Sequence, residues 1–142
     1  MTYTHETFNE WIKEIPEKLN TITGEFAKTN KLKLDYSIQS LDALEKWMIK
    51  QYDVATDLKD EEELWDMLAL YVGETYMKHI GGEWYFEAEN PKSLLYQEIV
   101  MKYIEDGEPA YRSARMLCTS CISRKKGTLI SSTLKKSIER VD

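Results

Sequence analysis

Asp60–Glu89 reads DEEELWDMLALYVGETYMKHIGGEWYFEAE, and the rest of the chain is organised around it. Leu64, Leu68, Tyr71, Val72, Thr75 and Tyr76 recur at helical spacing. Trp65 and Ala69 widen that stripe, and His79 falls near its middle. Met67, Leu70 and Met77 lie on the other side. A helix apolar on nearly all sides is predicted to be central, covered by its neighbours. Asp60 is the expected N-cap, with Glu63 three residues on. Glu61–Glu63 place negative charge on the positive end of the helix dipole. Gly73 is unfavourable in a helix interior by about 1 kcal/mol, so it is expected where another backbone comes close. Gly81 suits the left-handed position that ends a helix, and Gly82 the turn into a strand. Trp84 and Phe86 alternate with Tyr85 and Glu87, which predicts a strand with one aromatic face.

Outward from this stretch, Thr4 can cap an amphipathic helix carrying Phe8, Trp11, Ile12, Ile15, Leu19, Ile22 and Phe26. Pro16 should kink or divide it. Lys31–Tyr36, KLKLDY, alternates like a short strand. Ser37 or Ser40 should cap a helix with Leu41, Leu44, Trp47, Met48 and Tyr52 inside. Asp53–Lys59 reads as a connection. Residues 93–104 fit a helix by Leu95, Ile99 and Tyr103, or a strand by Ile99, Met101 and Tyr103. β-branched and aromatic residues favour a strand over the later half, paired with 84–88. Pro109 suggests a helix first turn, and Ala110, Ala114, Leu117, Cys118 and Cys121 continue one stripe to about Lys126. Gly127 suits a C-cap, and Thr128 can cap a last helix with Ile130, Leu134, Ile138 and Val141. The expected fold is a single α+β domain over 1–142, mostly helical, with a central buried helix and a small antiparallel sheet.

The 142 residues are about one domain's worth, enough for a core without disulfide or metal. No run approaches the roughly 18 apolar residues of a membrane span. The start, MTYTHETFNEW, has neither a basic region nor an apolar signal core, so export is not expected. Two cysteines in that setting suggest a reduced, cytoplasmic protein. The net charge of −6 is unevenly spread. Residues 109–142 hold eight Lys or Arg against two acids, a net +6, and 1–108 hold 11 against 23, a net −12. A basic C-terminal layer packed on an acidic body explains this, and a basic contact surface for an acidic partner or nucleic acid is the sharper alternative. Arg124-Lys125-Lys126 lacks interleaved aromatics for base stacking.

Candidate chemistry is sparse. Cys118-Thr-Ser-Cys121 falls inside a predicted helix, not at a thioredoxin-like helix start, and lacks the further ligands of a zinc site, so two buried thiols are expected. His79 can act as an acid or base or simply as a hydrogen-bonded structural residue. Glu74 lies beside Leu70 and Met67, one turn before Lys78. It is either a half-buried catalytic base or an anchor to a neighbouring backbone or to Lys78. Tyr71, Glu74 and Trp84 are the candidate binding residues, and Glu74 and His79 are the weak catalytic candidates. No metal or cofactor is expected, and no phosphate-cradling glycine loop, HExxH or GxSxG is present.

Leu34-Asp35-Tyr36-Ser37 with Ser40-Leu41, then Tyr71-Val72-Gly73-Glu74, then Gly81-Gly82-Glu83-Trp84, resembles small bacterial domains of unknown function with the form LDYS–SL…YxGE…GGxW. Similar small acidic proteins occur among immunity proteins of bacterial toxin systems. The resemblance covers roughly 34–88, speaks to fold rather than to function, and supplies no catalytic residues to carry over. With the acidic body, the leading expectation is a non-enzymatic cytoplasmic interaction protein with a basic partner. The alternative is an enzyme or small-ligand binder with a pocket around Glu74, His79, Tyr71 and Tyr76.

Overall fold

The computed structural model describes residues 3–141. Thr4 caps α1 (His5–Lys13), and Thr7 completes the capping box that glutamate usually closes. The chain breaks at Glu14, and Pro16 stands in the first turn of α2 (Ile15–Thr21), where its missing N–H costs no helix bond. The helix then widens into a π-helical turn, Ile22–Phe26, and closes with α3 (Ala27–Thr29).

The strand expected over Lys31–Tyr36 is absent. Lys31 and Tyr36 both have positive φ, 55° and 63°, so neither end can extend into a ladder. The segment is a loop that buries Leu34 and donates the Tyr36 N–H to the Tyr71 hydroxyl at 2.9 Å. The alternation came from a loop lying along the core surface.

Ser37 caps α4 (Ile38–Gln51), with Leu41, Leu44 and Met48 fully buried. The connection beyond it contains a short helix, α5 (Ala55–Lys59), and Asp60 ends that helix instead of capping the next. The central helix α6 (Glu62–Ile80) starts from Glu61 with no side-chain cap. It buries Leu68, Leu70, Tyr71, Val72 and Tyr76 completely, on several sides at once. It stops at Gly81, and Gly82 (φ +106°) packs so tightly that an added Cβ would sit 2.5 Å from the Lys102 carbonyl oxygen.

Three antiparallel strands follow in the order β1 (Glu83–Phe86), β2 (Ile99–Glu105) and β3 (Glu108–Arg112). Trp84 pairs with Met101 and Phe86 with Ile99, so the later half of 93–104 is a strand. Asp106 and Gly107, with φ of 54° and 79°, form the two-residue turn into β3. Pro109 therefore lies in a strand, not in a helix first turn. It pairs with Ile104 on an edge strand, where its ring removes only an outward N–H.

Ser113 caps α7 (Ala114–Arg124), which ends through Lys125 in the left-handed conformation two residues before Gly127. α8 (Leu129–Ile138) is not capped by the Thr128 side chain. The fully buried Glu45 of α4 accepts its first amides instead, from Leu129 N–H at 3.0 Å and Ile130 N–H at 2.8 Å. A carboxylate on the positive end of a helix dipole stabilises it, and here it also pins α8 to α4. The main core surrounds α6, and a smaller cluster of Tyr3, Trp11, Leu70, Phe86 and Ile99 joins α1 to the inner sheet face. The fold is a mostly helical α+β domain.

Candidate functional site

Glu74 and Trp84 meet at an open groove of about 630 Å³. One wall is Phe8, Ile12 and Ile15 of α1 and α2. The other is Met77 and Lys78 of α6, and Gly82–Trp84 at the start of β1 completes it. Trp84 is held on three sides. Its Nε1–H donates to Glu74 Oε2 at 2.7 Å. Its ring lies against Gly73 so closely that a Cβ there would be 2.1 Å from Cη2. Trp11 packs edge-on at 4.9 Å between centroids. The close approach expected at Gly73 is therefore made by an indole ring, not by backbone.

Glu74 is half-buried and takes neither expected partner. Lys78 turns its ammonium over the Tyr36 ring, 4.7 Å from the centroid, and the indole replaces backbone as the anchor. Among the described residues nothing donates to Glu74 Oε1. One carboxylate oxygen is fixed, and the other remains available in the groove.

The structure does not gather Tyr71, Tyr76 and His79 at this groove. Tyr71 is fully buried against α4 and the Tyr36 loop, outside the groove lining, its hydroxyl shared with Ser40 Oγ at 2.6 Å. Desolvation raises its pKa. Tyr76 is equally buried and donates to the Ile130 carbonyl at 2.6 Å. His79 is exposed at the helix end, with Nε2 3.0 Å from the Tyr36 carbonyl oxygen. A carbonyl only accepts, so Nε2 carries the proton there. Cys118 and Cys121 are free and buried, and desolvation pushes the Cys118 thiol up to about 12 and Cys121 upward too. That opposes the thiolate character of redox cysteines.

A second polar centre was not singled out from the sequence. Asp66, its side chain 12% exposed, accepts from Trp11 Nε1 (2.8 Å) and Arg115 Nη2 (2.9 Å) on Oδ1, and from Lys18 Nζ (2.8 Å) on Oδ2. Arg115 Nη2 also donates to the Tyr3 hydroxyl at 2.7 Å. Burial alone would raise the Asp66 pKa, but the bonds from Lys18, Trp11 and Arg115 outweigh it and hold the carboxyl below its ordinary value. Four helices are tied at this point. The available signal was a lone carboxylate inside an apolar run, Leu64-Trp65-Asp66-Met67-Leu68. Arg115 and, at the far end, Arg140 on Glu105 at 2.9 Å, show basic C-terminal residues packed on acids of the body. Arg124–Lys126 stays exposed at the end of α7.

Among the described residues, no group of three or more His, Cys, Asp or Glu is placed to hold a metal ion. No helix among them is long and apolar enough to cross a membrane. Compared with family models, curated proteins and solved structures, the chain matches none.

Proposed function

We propose that this chain is a non-enzymatic protein-interaction domain, of immunity or inhibitor type, that acts in the cytoplasm of a bacterium and takes a basic partner. The observation that carries the reading is the Glu74 carboxylate. It is oriented by the Trp84 indole, with no donor to Oε1 among the described residues, in an open groove lined in part by Phe8, Ile12, Ile15 and Met77. Such a group adds charge selectivity to an apolar contact. The −12 balance of residues 1–108 supports the same partner chemistry, because it would steer a cation toward this body. The likeness to small acidic immunity proteins adds the biological type.

Small-ligand binding is the second reading. The groove volume lies within the range of ligand sites, but the surface is open, and His79 is not among its lining residues. Affinity capture from the native host tests the first reading. A stoichiometric basic protein is expected, bound more weakly as salt rises and more weakly still by Glu74→Gln. Capture of no stoichiometric protein, or of one indifferent to both changes, would reject it.

A further inference from the structure

The sheet has two edges, and they are not alike. The hairpin turn sets Glu105 and Glu108 as a pair that exchange hydrogen bonds. Counting by twos, Met101 and Tyr103 face β3, and Val100 and Lys102 face β1. From the other end, Glu87 N–H donates to the Glu98 carbonyl at 3.1 Å, and Gln97 N–H donates to the Glu87 carbonyl at 2.5 Å. Glu87, Tyr85 and Glu83 thus face β2, and the register agrees by pairing Glu83 with Lys102 and Tyr85 with Val100. The outward positions are Pro109 and Tyr111 on β3, and Trp84 and Phe86 on β1.

Pro109 removes an outward donor from the β3 edge, a usual way to stop strands from adding. The β1 edge carries no proline and is open at Glu83 and Trp84, while α1 covers the Phe86 side chain. Among the described residues, no hydrogen bond reaches the main-chain N–H or C=O of Trp84 or Phe86. The groove described above opens beside Trp84, and Glu74 stands in it.

We infer that β1 accepts an added strand, and that the occupant is an extended basic segment of a partner protein. This rests on the proposed interaction role and specifies how contact is made. Main-chain bonds to Trp84 and Phe86 supply sequence-independent affinity, and alternate side chains supply selectivity. Side chains beside Trp84 on the inner face enter the groove, where a lysine or arginine lays its aliphatic stem on Phe8 and Ile12 and reaches Glu74 with its charge. On the outer face, Glu83 offers a second carboxylate. Lys78, the groove's own cation, is drawn away over Tyr36 and does not neutralise Glu74.

The test uses the full chain, labelled with nitrogen-15, and an end-blocked octapeptide of alternating lysine and valine. The expected result is that amide resonances of Trp84 and Phe86 move most and exchange at least tenfold more slowly. Two further peptides carry N-methyl groups on every second residue, in one frame or the other. One frame should abolish binding and the other preserve it, because only one set of amides faces β1. Glu74→Gln should weaken the lysine peptide at least threefold while the Trp84 indole N–H resonance stays in place, since a glutamine oxygen still accepts that bond. Equal binding in both frames overturns strand addition. Shifts confined to Glu10, Glu62 and Glu63, which line a separate groove beside Asp66, also overturn it, yet leave a basic partner standing. Dilution-dependent shifts of Trp84 and Phe86 without peptide assign the edge to a second copy and overturn the basic segment. Absence of peptide binding overturns the inference, and absence of any captured partner removes the functional reading beneath it.

Discussion

Gly73→Ala changes sign when the tertiary structure is taken into account. In a solvated helix interior, alanine is more stable than glycine by about 1 kcal/mol. In this fold the new Cβ would stand 2.1 Å from Trp84 Cη2 and 2.5 Å from Cζ2. An ordinary contact begins near 3.4 Å, so the ring must retreat by about 1.3 Å or more. Its Nε1 is bonded to Glu74 at 2.7 Å, and Trp11 abuts it. Overpacking costs about 1–3 kcal/mol, and a lost hydrogen bond to a charged group about 1.5–3 kcal/mol. Trp84 is partly exposed and can swing outward, so the lower half of the summed range applies. Less the propensity gain, the net destabilisation is about 2–3 kcal/mol. With a urea slope near 2 kcal/mol/M, the unfolding midpoint should fall by about 1–1.5 M. In a Trp84→Ala background the same change should instead stabilise by about 1 kcal/mol, since the obstacle is gone. Stabilisation in the native background, or equal loss in both, would refute the argument.

Asp66→Asn should cost about 3–5 kcal/mol at pH 7 in urea unfolding, because it leaves Arg115 and Lys18 facing an uncharged group in a partly buried site. The Asp66 pKa is lowered in the fold, so its contribution is present above the unfolded value near 3.9 and fades as pH falls through the folded value. The same substitution should accordingly flatten the acid limb of the stability profile below about pH 4, and an unchanged limb would contradict the assignment. Glu45→Gln removes the charge from the acceptor of two amides and should cost about 1.5–3 kcal/mol, with faster hydrogen exchange at Leu129 and Ile130. Cys118, its thiol raised to about 12, should react with a disulfide reagent at pH 8 only as fast as the chain opens. Stoichiometric labelling of the native fold within minutes would show otherwise.

Much of the architecture was legible because local signals agreed with the final packing. The spacing from Leu64 to Tyr76 required a helix whatever surrounded it. Gly81 and Gly82 ended it, and Thr4 and Ser37 opened their helices. Where alternatives competed, local pattern misled. Lys31–Tyr36 alternates like a strand, but among the described residues no strand pairs with it, and the Tyr71 hydroxyl takes the Tyr36 N–H. Pro109 suits a helix start in isolation, yet the hairpin carries it onto an edge where a missing N–H is harmless.

At the site, the chain alone singled out Glu74 and Trp84 as residues of interest, without indicating that they touch. It was silent on Asp66 and Glu45, whose partners stand 49 and 84–85 positions away in the case of Arg115 and of Leu129 and Ile130. Periodicity, capping and turn chemistry act within a few residues, so the amino-acid order determines them directly. The partner of a buried charge and the ring resting on a glycine depend on how distant segments come together, and packing alone decides them.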